Sequence, residues 1–104
     1  MAKRDVASEK VNIKKGFFLN DSSMTRSYSE TEKNAVLKYF ATKGKVGMVG
    51  TSSLRDPVTG ERYSHENKIY ESDKYIWSDA LVYMFKKYSI LLTDEFINDA
   101  LSLA

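Results

Sequence analysis

The sequence predicts a small single domain of the α+β class. An antiparallel β-hairpin or small sheet packs with about three helices, in the order α-β-β-α-α. Three observations carry that expectation. Ser29-Glu30-Thr31-Glu32 is a capping box at the head of an apolar stripe. Lys45–Ser53 and Arg62–Tyr70 read as two strands separated by turn residues. Ser72–Ser89 places Trp77, Leu81, Met84, Phe85 and Tyr88 at the spacing of one helix face. An all-α bundle with an irregular middle is the alternative.

In chain order, residues 1–16 lack a clear period and are rich in charge, which reads as a mobile basic arm. Val6, Val11 and Ile13 leave room for a short strand between Lys10 and Leu19. Gly16-Phe17-Phe18-Leu19 is the first segment apolar enough to dock, so the globular domain is expected over 17–104. Asn20-Asp21-Ser22-Ser23 supplies a turn, because short polar side chains bond their own backbone.

The first helix should run from the Ser29 cap to about Lys43 and stop at Gly44 as its C′ residue. Val36, Leu37 and Phe40 form its apolar face, with Tyr39 at the edge. Lys45–Ser53 (KVGMVGTSS) follows as a β-branched run broken by Gly47 and Gly50. Arg62–Tyr70 alternates, with Tyr63, His65 and Ile69 on one face. Asp56-Pro57 and Thr59-Gly60 between them are turn chemistry. Ser72 is the expected N-cap of the central helix, with Trp77 as its anchor. Thr93 starts a last helix striped by Phe96, Ile97, Ala100 and Leu101.

Composition bounds the function classes. The chain has 104 residues, 42% hydrophobic and 29% charged, which suits one globular domain. No apolar run approaches the roughly 20 residues that span a bilayer, and the charged N-terminus has no apolar core of a secretory signal. A cytoplasmic protein without a membrane partner is the expectation. Cysteine is absent, which removes disulfides, thiolate nucleophiles and cysteine-held zinc. Heavy use of Lys, Asn, Tyr, Phe and Ile suggests an AT-rich coding sequence, compatible with a bacterium or phage.

No residue set forms a catalytic constellation, so the expectation is a non-enzyme with neither cofactor nor metal. His65 is the single histidine; it reads as structural, with a catalytic role as the residual alternative. Gly44–Thr51 looks like a phosphate loop, but its glycines follow a helix and lead into a strand, the reverse of the order a phosphate cradle needs. Gly44-Lys45-Val46-Gly47 also matches the short GXXG string of single-strand nucleic-acid loops.

The remaining signal is a surplus of tyrosines, Tyr28, Tyr63, Tyr70, Tyr75 and Tyr83, beyond what the helical stripes use. Tyrosine and arginine are enriched in interface hot spots. The expected function is therefore a protein-binding module of the inhibitor, immunity or adaptor type, acting by occupying a partner protein's surface. Arg55, Arg62, Tyr63 and Tyr70 around the turn are the candidate contacts. The alternative is a nucleic-acid-binding protein using Lys3, Arg4, Lys10, Lys14, Lys15, Lys43 and Lys45, since such cations neutralise phosphates.

Overall fold

The computed structural model describes residues 3–7, 25–51, 53–56 and 58–103. Its elements run β1 (Arg4–Asp5), α1 (Glu30–Thr42), β2 (Lys45–Gly50), β3 (Leu54–Arg55), β4 (Arg62–Ser64), β5 (Asn67–Glu71), β6 (Tyr75–Ser78), α2 (Asp79–Tyr88) and α3 (Asp94–Leu103). One four-stranded sheet has the order β1-β6-β5-β2, with β1 parallel to β6 and the other pairs antiparallel. β3 and β4 form a separate two-stranded hairpin. The architecture is the α+β domain that the sequence predicts.

Helix α1 starts where the capping box puts it. Ser29 Oγ accepts from the Glu32 amide at 3.1 Å, and Glu32 Oε1 accepts from the Ser29 amide at 2.9 Å. Arg26 adds an ion pair to the same Glu32 carboxylate. The Ser29 amide bond, with that arginine, holds the Glu32 carboxyl below its ordinary range. Ala35, Val36 and Tyr39 turn inward.

The core is an aromatic cluster between the sheet and two helices. Tyr75 and Trp77 alternate on the buried face of β6. Tyr39 of α1 lies 5.8 Å from the Trp77 ring, and Phe96 of α3 lies 5.0 Å from both Tyr39 and Tyr75. Burying a side chain the size of Phe96 or Phe85 contributes about 1.5–3 kcal/mol.

Three expectations need correction. The central helix does not begin at Ser72. Residues 75–78 are strand β6, and α2 begins at Asp79, capped by Ser78, whose hydroxyl accepts from the Leu81 amide. Ser72 does accept from an amide three residues on, that of Tyr75 at 3.2 Å, which is the bond an N-cap makes. Here it closes the turn between β5 and β6, together with Ser72 N–H donating to the Tyr75 carbonyl. Trp77 is buried, as an anchor should be, but in a strand.

The second strand, read as Arg62–Tyr70, is divided in two. β4 pairs with β3, and only β5 pairs with β2, so the β3–β4 hairpin is an excursion between the arms of the larger pair. At the N-terminus, Arg4–Val6 is not part of an arm. β1 pairs with β6, Val6 is buried, and its carbonyl accepts from the Thr93 amide. Apolar Val6, following the exposed Arg4 and Asp5, suits an edge segment with one buried position. Residues 1–2 and 8–16 of that expected arm, with the strand looked for between Lys10 and Leu19, lie outside the described residues.

Gly44 ends α1 without a left-handed cap: among described residues only Ser89 and Gly60 have positive φ. Its reason is space, since a Cβ there would sit 2.5 Å from the Trp77 ring. At the other end of the core, Ile90 and Leu92 are buried between α2 and α3, each bridged to the N-terminal half, at Thr25 and Ala7. The Tyr28 hydroxyl ties this connector down, donating to the Ile90 carbonyl and accepting from the Leu92 amide. No helix among the described residues is long and apolar enough to cross a membrane.

Candidate protein-binding surface

The β3–β4 hairpin is fixed to α2 by one carboxylate. Asp56 follows β3 and accepts from the amides of Val58 and Thr59 at 2.7 and 3.0 Å, an Asx-type turn. Its own amide donates to the Glu61 carbonyl, and Gly60, at φ 74°, brings the chain back. The carboxylate then reaches α2, accepting from the hydroxyls of Tyr83 and Tyr88 and from the Lys87 ammonium at 2.9 Å.

Asp56 is 1% exposed, the one buried charged residue among those described. Burial by itself would push its carboxyl up. The bonds from Tyr88, the Thr59 amide, Lys87 and Tyr83 outweigh burial and hold it well below the usual carboxylate range. The bond to Asp56 likewise keeps Lys87 charged well above the ordinary lysine range. At neutral pH this network holds one protonation state, so it acts as a fixed tie between hairpin and helix.

Of the four predicted contacts, the structure presents two to solvent. Arg55 and Arg62 are cross-strand partners on β3 and β4, both exposed. Neither has a carboxylate within ion-pair distance among the described residues. The Arg55 guanidinium donates to the Gly60 carbonyl, and that of Arg62 lies 3.4 Å from Nδ1 of His65, which is itself exposed.

Tyr63 and Tyr70 are half-buried packing residues. Tyr63 stacks on Tyr83 with ring centroids 3.6 Å apart, and Tyr70 stacks on Trp77. Both edge a shallow groove of about 350 Å³ between β4, β5 and α2. Burial, with the Asp79 carboxylate beside it, pushes the Tyr70 phenol up to about 12. The surplus of tyrosines thus has a structural explanation: Tyr28, Tyr63, Tyr70, Tyr75 and Tyr83 all bond or stack within the fold.

The apolar part of the surface is one the sequence reading did not select. The exposed large hydrophobic residues among those described are Val46, Met48, Val49, Val58 and Leu103, at 54, 67, 52, 60 and 55% exposure. All but Leu103 fall between the start of β2 and the hairpin tip. β2 is the outer strand of the sheet, and among described residues nothing pairs with its free side. A register shift at Gly47 sets Val46 opposite Tyr70 and Val49 opposite Lys68, so both valines share the helix-covered face of the sheet. Met48, opposite Ile69, points to the other face.

Three cations of the nucleic-acid alternative, Lys3, Lys43 and Lys45, lie about the β5–β6 turn: Lys43 lines a shallow cavity with Ser72 and Asp73, and Lys45 sits opposite Glu71. The Lys3 ammonium donates to the carbonyls of Ser72 and Asp73, and Arg4 pairs with Glu95. Lys43 and Lys45 are exposed near the end of α1. Lys10, Lys14 and Lys15 lie outside the described residues. Among the described residues, no three His, Asp or Glu side chains gather where a metal ion would sit.

No family model, curated protein or solved structure matches the chain. The reading of the surface therefore rests on its chemistry. The signal for its apolar half was present in the sequence as Val46-Gly47-Met48-Val49, a run that a covered strand would also show. Its exposure follows from the place of β2 at the edge, which a linear pattern does not encode.

Proposed function

We propose that the protein is a non-enzymatic binding module that recognises another protein through β2 and the β3–β4 hairpin. One observation carries the reading: of the large hydrophobics exposed among the described residues, Val46, Met48, Val49 and Val58 all fall on β2 or at the tip of the hairpin whose strands carry the exposed Arg55 and Arg62. Methionine and arginine are enriched in interfaces, and large apolar side chains left exposed on a small domain are candidates for contact with a partner. The Asp56 network supports it, because a loop held in one conformation loses little entropy on binding. The Arg55–Arg62 pair favours a partner with carboxylates at the matching position, which would relieve the like-charge neighbours. Inhibitor, immunity and adaptor proteins all work by occupying a surface in this way.

The test is affinity capture from the source cells with the wild-type chain beside two double variants, M48K/V58K and R55E/R62E. All four positions are exposed, so stability should change by no more than about 1 kcal/mol. A partner retained by the wild type and lost from both variants supports the reading. Capture unchanged by either variant would overturn it. Loss only from the arginine variant, together with retention on DNA or RNA that weakens steeply with salt, would point instead to nucleic acid.

A further inference from the structure

We infer that β2 pairs with β2 of a second copy, joining two four-stranded sheets edge to edge across a twofold axis. The inference rests on the reading of this region as an interaction surface and names the occupant of its strand half. Among the described residues β2 is an outer strand, and such a strand offers its backbone amides and carbonyls to any chain of compatible register. Register is what selects a second copy here. In antiparallel pairs, residues directly opposite each other share a face, and a one-residue slip sends side chains to the wrong one.

Val46 and Val49 lie on the face of Tyr70 and Trp77, whereas Lys45, Met48 and Gly50 lie on the opposite face. Centring the pair between Gly47 and Met48 sets Val46 against Val49 of the second copy, Lys45 against Gly50, and Gly47 against Met48. Every side chain then keeps its face, and Gly47, where a Cβ would meet the Glu71 side chain opposite Lys45, faces Met48 on that same side. A slip by one residue either way sets Val46 against Met48 or Gly50, on the other face.

The chosen register also gathers Val46 and Val49 of both copies into one apolar cluster. It places the only charged residue of the strand, Lys45, opposite a glycine rather than another lysine. The pairing closes on itself. The opposite sheet edge, β1, is two residues long, so it offers little to a β2 arriving head to tail.

The test is sedimentation velocity over a range of concentrations on three chains: wild type, V46K/V49K and V46E/V49E. The wild type is expected to form a dimer. Each variant sets like charges opposite one another and should weaken the dimer on the order of 100-fold. An equimolar mixture of the two variants sets opposite charges together in the same register and should restore a dimer. Circular dichroism identical to wild type checks that the variants fold. A wild-type chain that stays monomeric overturns the pairing, and so does a dimer that the variants leave intact or that the mixture fails to restore. The broader reading of the surface would survive a monomeric wild type, since it is tested separately by partner capture with M48K/V58K and R55E/R62E.

Discussion

The Tyr88 hydroxyl lies 2.7 and 2.6 Å from the two carboxylate oxygens of Asp56, across 32 residues of sequence. That contact, with Tyr83 and Lys87, makes the β3–β4 hairpin part of the folded body. Asp56→Asn keeps the shape and removes the charge, and should lower the urea midpoint at neutral pH. Because the folded carboxyl titrates below its ordinary value, its stabilising effect is complete above the usual carboxylate range and is lost as pH falls below about 4. The gap in urea midpoint between wild type and Asp56→Asn should therefore narrow on acidification. A gap unchanged between about pH 7 and about pH 3 would show that the charge contributes nothing.

Gly44 is expected to tolerate no side chain. A Cβ would lie 2.5 Å from the Trp77 ring, so Gly44→Ala must displace the indole or the end of α1. The expected loss is about 1–3 kcal/mol by urea titration. Gly50→Ala, whose Cβ would meet nothing nearer than 3.4 Å, should change stability by less than about 0.5 kcal/mol. Equal effects at the two positions would remove the steric explanation.

Trp77 is the sole tryptophan and is 5% exposed, between Tyr70, Tyr39 and Phe40. Trp77→Ala should cost about 3–5 kcal/mol. In the wild type, its emission should be blue-shifted and should move to the red in one step with urea. Emission already at the solvent-exposed wavelength in the native protein would place Trp77 on the surface.

How far the sequence showed these features depends on the range of the interactions that decide them. The first helix was legible because its capping box is local: Ser29 and Glu32 satisfy each other within one turn. The last helix was legible from the stripe of Phe96, Ile97 and Ala100. β6 was not, because Trp77, Leu81, Met84 and Phe85 keep helical spacing across the strand–helix junction. Ser72 also makes a cap-like bond in a turn between strands. Arg55 and Arg62 could be chosen by residue type. The role of Asp56 could not, since its partners Tyr83, Lys87 and Tyr88 belong to an element reached only through the tertiary fold.

Ser89 caps α2 in the left-handed region, at φ 56° and ψ 49°. A non-glycine residue there carries strain of about 1 kcal/mol. Ser89→Gly should relieve it and raise stability by about 0.5–1 kcal/mol, read as a higher urea midpoint with an unchanged slope. A lower midpoint would mean that the serine side chain contributes more than the backbone strain costs.

The central claim is that the surface from β2 to the hairpin tip meets a protein partner. Site-specific photo-crosslinking in the source cells tests it most directly, with the crosslinker placed in turn at Met48, Val58 and, as a control, Lys38 on the exposed side of α1. The account predicts discrete adducts from Met48 and Val58 and none from Lys38. Adducts from Lys38 alone, or none from either surface position, would contradict it.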